Sequence, residues 1–102
     1  MNNEVIVCII ERGKADAVVK AAVAAGAGGA TIFFGRGSGA MTFSFFHSLN
    51  VDLAKEIIII LVGHDTRPKV VEAITQTAHL DEPGKGLLFT FPVSEVRGIT
   101  VK

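Results

Sequence analysis

Two stretches, Val5–Ile10 and Ile57–Val62, are apolar at every one of their six positions. Val5–Ile10, β-branched and aliphatic without helical spacing, predicts a strand buried on both faces, and Glu56–Val62, with four consecutive isoleucines and too short for a free helix, predicts a central strand. Over Ala15–Ala25 the period changes: Ala15, Val18, Val19, Ala22 and Val23 fall on one stripe and Asp16 and Lys20 stand at i,i+4, which predicts a helix stopped by Gly26. Ala30–Phe34 is β-rich between glycine clusters and predicts a second strand. After the isoleucine run, Asp65 or Thr66 is placed to cap a helix whose first turn tolerates Pro68. Val70, Val71, Ile74 and Ala78 carry that helix to about His79. Leu87–Phe91 then alternates and predicts a fourth strand ended by Pro92.

The order βαββαβ predicts an α+β, ferredoxin-like sandwich: right-handed crossovers around an antiparallel sheet, with both helices on one face. The other sheet face is then bare, yet the first and third strands have no polar side to show to water. Burying an Ile or Val is worth about 1.5–3 kcal/mol, and a wet face of such residues exceeds the apolar patch normal for a monomer. A homo-oligomer packed sheet to sheet is therefore expected.

Composition narrows the function. The 102 residues suit one domain, 1–102. Ten basic and ten acidic residues cancel, which removes the positive field of a nucleic-acid binder. No apolar run approaches the roughly 20 residues of a membrane span, so direct membrane insertion is not expected, and no secretory leader is legible. One cysteine, Cys8, excludes an internal disulfide and fits a cytoplasmic protein; its strand setting predicts a packed thiol rather than a nucleophile.

The least ordinary region is the connection at about 35–55, where a hairpin needs two to five residues. It opens Gly35-Arg36-Gly37-Ser38-Gly39 and continues through Met41, Phe43, Phe45 and Phe46. One reading is a glycine nest that approaches an anion beside Arg36, followed by an apolar finger that docks on a partner. The other is a hairpin packing on its own oligomer, and both stay open. Gly84-Lys85-Gly86 matches no phosphate-loop pattern and reads by spacing as a turn. His47, His64 and His79 lack metal-ligand spacing, so no metal is expected. Ser44, His64 and Asp65 could be drawn as a triad, but no nucleophile elbow or oxyanion motif accompanies them. No catalytic residue is assigned.

Taken together, several segments resemble the P-II signal-transduction proteins, in particular their shortened P-II-like relatives, over about 4–97. They are Cys8-Ile9-Ile10-Glu11-Arg12-Gly13-Lys14-Ala15, Gly26-Ala27-Gly28-Gly29-Ala30-Thr31, Gly37-Ser38-Gly39, Thr77-Ala78, Gly84-Lys85-Gly86 and Leu88-Phe89-Thr90-Phe91-Pro92-Val93. The resemblance implies a homotrimer with inward-facing sheets and a non-enzymatic regulator that binds an adenine nucleotide in three clefts between subunits. By position, the effector contacts implied are Gly29, Thr31, Gly37, Ser38, Gly39, Gly84, Lys85 and Gly86, and the glycine-nest reading adds Arg36 to them. The long connection is implied to be the arm, with Met41, Phe43, Phe45 and Phe46, that reaches a regulated enzyme or membrane transporter. Where ATP-binding members carry a lysine after the second loop glycine, Leu87 stands here, and Gly98 and Thr100 fall where two arginines are expected. AMP or ADP is thus expected over ATP, with no obligatory cofactor. The rival expectations are a scaffold of the same fold that senses nothing, and an acylphosphatase-like enzyme using Arg12 and Gly13 as a cradle. The latter lacks its asparagine, since only Asn2, Asn3 and Asn50 are present.

Overall fold

Strand β1 (Asn3–Glu11) is followed by α1 (Ala15–Ala24), β2 (Thr31–Gly37), β3 (Leu53–Gly63), α2 (Arg67–Ala78) and β4 (Gly86–Val93). The computed structural model describes residues 2–37 and 53–98. The strands form one sheet in the order β2-β3-β1-β4, every neighbouring pair antiparallel. This is the ferredoxin-like arrangement that the sequence predicts.

Side chains alternate along the two central strands. Ile6, Cys8 and Ile10 of β1 and Ile58, Ile60 and Val62 of β3 face the helices and are fully buried. Val18 and Ala22 of α1 and Val70 and Ile74 of α2 close over them as a single core. Val23, counted on the α1 stripe from sequence, instead lies at its edge and is 48% exposed.

The helix ends differ in how well the sequence predicts them. Gly26 stops α1 as expected, at φ +122°. Its amide bonds to the Val23 carbonyl at 3.0 Å and that of Ala27 to Ala22 at 3.0 Å, the pair of bonds that closes a helix through a left-handed residue. At α2 the expected cap fails: Thr66 takes the N-cap position in a helical conformation and its side chain makes no capping bond. Asp65, the other capping candidate, lies one residue before it, in the turn between β3 and α2.

The other sheet face is open. In register across the strands lie Phe33, Ile57, Ile9 and Leu87, then Thr31, Ile59, Val7 and Phe89, then Leu61, Val5 and Phe91. Within one chain Phe33, Phe89 and Phe91 are each close to half exposed. The expectation of a first strand buried on both faces therefore holds on one face only for the isolated chain, and the uncovered rows are those a homo-oligomer would close.

Two strand boundaries correct the sequence reading. β4 runs through Pro92 to Val93 instead of ending before it. β4 is an edge strand, where a missing N–H need not break a ladder. The connection expected at 35–55 is strand at both ends, with Gly35 opposite Lys55, Arg36 opposite Ala54 and Gly37 opposite Leu53. A Cβ on Gly35 would come within 2.7 Å of the Ile57 side chain, and one on Gly37 within 3.0 Å of the Lys55 stem. Those glycines let neighbouring β3 side chains lie flat across β2.

Candidate functional site

The residues expected to contact an effector do not gather in one chain. Gly29, Thr31, Arg36 and Gly37 lie before or along β2, one edge of the sheet, and Gly84, Lys85 and Gly86 lie at the start of β4, the other edge. Three interstrand spacings, about 14 Å, separate the edges. Ser38, Gly39, Met41, Phe43, Phe45 and Phe46 lie outside the described residues.

On the β4 side, Gly86 is set by close packing. Its φ is +142°, and a Cβ there would sit 2.5 Å from the Ile9 carbonyl oxygen. Lys85 is exposed beside it, and His79 Nδ1 lies 3.5 Å from Glu82 Oε2 in the preceding turn. Leu87 pairs with Ile9 and extends the apolar open face.

On the β2 side, the root of the long connection is tied to the start of α1. Glu56 Oε1 accepts the backbone N–H of Gly13 at 2.7 Å and that of Ala15 at 3.1 Å. Lys14, the N-cap residue, offers no side-chain bond, so a carboxylate from β3 does that work at the positive end of the helix. Beside it, the Arg12 guanidinium lies over the Phe34 ring, 4.8 Å from its centroid. Lys55 is only 1% exposed, and its burial pulls the ammonium pKa down while the Glu11 carboxylate pushes it back up.

The opposite end of the sheet carries a second polar group. Glu4 Oε2 lies 2.5 Å from His64 Nδ1, within hydrogen-bond reach, and Glu4 Oε1 forms an ion pair with Arg67, whose Nε is 2.5 Å away without a hydrogen-bonding alignment. Of the triad drawn from sequence, Ser44 lies outside the described residues and the His64 ring is turned to Glu4. Cys8 is fully buried as expected, and burial pushes its thiol up to about 12. The acylphosphatase-like reading fails on the β1–α1 turn, because two of the amides that would cradle a phosphate there already bind the chain's own carboxylate.

Comparison with known proteins agrees with this geometry. The family described as nitrogen regulatory protein P-II matches residues 3–102. The chain belongs to that family. Its members are signal-transduction regulators and not enzymes, and they assemble as trimers that interact with target proteins. A solved structure of Arabidopsis thaliana PII bound to citrate is similar in fold, with 24% identity and a TM-score of 0.71, over 91% of this chain and 78% of that one. No curated protein sequence matches. Among the described residues, no helix is long and apolar enough to cross a membrane.

Sequence reasoning passed over Glu56, Glu4 and the part played by Arg12. Glu56 was findable: it is a carboxylate two residues before Ile58, at a position that alternates onto the core face, where an acid demands partners. Arg12 and Glu4 carry no comparable mark, because their partners come from other strands and helices.

Proposed function

We propose that this P-II family protein acts as a trimeric cytoplasmic regulator. A small effector, an adenine nucleotide with AMP or ADP preferred over ATP, binds in the clefts between subunits and controls a target enzyme or transporter through the long β2–β3 connection. The observation that carries this reading is the split of the candidate residues between opposite edges of a sheet whose open face is apolar. They can meet only if the β2 edge of one copy approaches the β4 edge of the next, which is what closing three apolar faces around an axis would do. A small-molecule site formed in that way reports on assembly and on the β2–β3 root together. That is the placement a regulator needs if its ligand is to bind two conformations of the connection with different affinity.

Mass spectrometry of molecules carried through native purification, followed by calorimetric titration of AMP, ADP, ATP and citrate, tests the reading. AMP or ADP is expected to bind more tightly than ATP. No heat with any adenine nucleotide would remove the nucleotide, and heat with citrate alone would put a carboxylate effector in its place. The rival scaffold is separated by substitution. Loss of partner capture on changing Phe43, Phe45 and Phe46 to Ser, with Lys85→Ala silent, would favour the scaffold; dependence of capture on Lys85 and on ligand favours the sensor.

A further inference from the structure

Arg12 follows the last residue of β1, and its backbone N–H donates to the Ala54 carbonyl on β3 at 3.3 Å. Ala54 in turn stands opposite Arg36 on β2. Arg12, Ala54 and Arg36 thus form a row across three strands, one step beyond Ile10, Glu56 and Phe34, with the outer backbones about 10 Å apart. Alternation puts this row on the helix side of the sheet, two residues on from Glu56 and Phe34. Its centre is a small, exposed alanine, and both outer members are exposed arginines.

The Arg12 guanidinium has no carboxylate partner among the described residues. Among the described residues, the acids of the two adjoining rows are engaged elsewhere: Glu56 Oε1 is held by the amides of Gly13 and Ala15, and Glu11 alternates onto the other face, where it stands opposite Lys55. The Arg12 guanidinium lies over the face of Phe34, a ring 65% exposed. A guanidinium stacked on a ring keeps its in-plane N–H donors free, and the stack restricts the side chain in advance of any ligand. Such a fork matches a planar or tetrahedral oxyanion in bidentate fashion.

The geometry points to Arg12, together with Arg36, as an anion-recognition pair at the root of the β2–β3 connection, taking the phosphate or carboxylate group of the effector. This rests on the effector reading above and adds to it Arg12, which lies outside the residues implied by family resemblance. Phe34 is a positioning residue, holding the fork in place.

The test is calorimetric titration of the full chain with AMP, citrate and adenosine, using wild type, Arg12→Gln, Arg12→Lys and Phe34→Leu, with urea midpoints as a folding control. Arg12→Gln is expected to weaken AMP or citrate by about 10- to 100-fold, the loss of one charged hydrogen-bonding fork. Arg12→Lys should fall between that and wild type, and Phe34→Leu should weaken binding about two- to fivefold. Adenosine, which carries no anion, should bind the same with and without Arg12. AMP binding undiminished in Arg12→Gln would overturn the pair and leave the effector reading standing. Citrate binding that depends on Arg12, with no AMP binding, would keep the pair and remove the nucleotide. Loss of adenosine together with AMP in Arg12→Gln would show a structural role, and no heat from any probe would remove both proposals.

Discussion

Glu56 on β3 accepts the amide of Gly13 at 2.7 Å across 43 residues of sequence, and the same oxygen takes the amide of Ala15 at 3.1 Å. Helix α1 therefore starts where β3 tells it to, and the root of the β2–β3 connection is fastened to the β1–α1 turn. Glu56→Ala leaves two amides without their acceptor and is expected to cost about 2–4 kcal/mol. Glu56→Gln keeps an acceptor oxygen and loses the charge, with an expected cost of about 1–2 kcal/mol. Urea denaturation checks both, and losses below about 0.5 kcal/mol in each variant would contradict the anchoring.

On the open face, Val7 is flanked in register by Ile59 and Phe89, at the middle of the apolar rows. If three copies close around those rows, a carboxylate at Val7 must be buried among aliphatic and aromatic side chains or the assembly must open. Val7→Asp is expected to shift the solution mass from three copies of the 10.8 kDa chain toward one. Sedimentation or light scattering reads this directly. An unchanged trimer would mean that the subunits meet elsewhere.

Gly86 has no room for a side chain, with the Ile9 carbonyl 2.5 Å from where a Cβ would go and φ at +142°. Gly86→Ala combines backbone strain with a steric conflict against backbone that cannot step aside. The expected loss is about 2–6 kcal/mol, from strain and overpacking of about 1–3 kcal/mol each. A denaturation midpoint unchanged in this variant would show that β4 can shift away from β1 at little cost.

Most of the fold was legible because local and long-range preferences agree. The isoleucine run cannot be satisfied except in a central strand, and Gly26 ends α1 by the bond pattern its conformation permits. The boundaries that moved are those decided by neighbours. Pro92 continues β4 only because that strand has a free edge, and Gly35 and Gly37 are strand only because Ile57 and Lys55 lie across them. The candidate site was legible as residue types and not as a place. Gly84–Gly86 and Gly37 belong to different edges, and nothing in a linear sequence says that two edges of two copies should meet. Arg12 and Phe34, 22 positions apart, become neighbours only through the register of β1, β3 and β2.

Cys8 stands in register between Ile58 and Leu88 with no exposed surface, and burial lifts its thiol from 9.0 to about 12. The folded chain therefore keeps this proton over a range in which the unfolded chain has lost it. Below about pH 9 the contribution to stability is fully present; between about 9 and 12 the unfolded state binds fewer protons, and stability falls as pH rises. The slope approaches about 1.4 kcal/mol per pH unit. Lys55, whose pKa is drawn down, contributes with the opposite sign in the alkaline range, so the wild-type curve alone does not isolate the thiol. Cys8→Ala does. Its stability should lie a constant step below wild type up to about pH 8.5, and the two curves should converge above it as wild type loses the thiol contribution. A thiol reagent at neutral pH should modify Cys8 only as fast as the chain unfolds. Parallel curves to pH 11, or rapid labelling under native conditions, would mean that the β1 core opens to water without global unfolding.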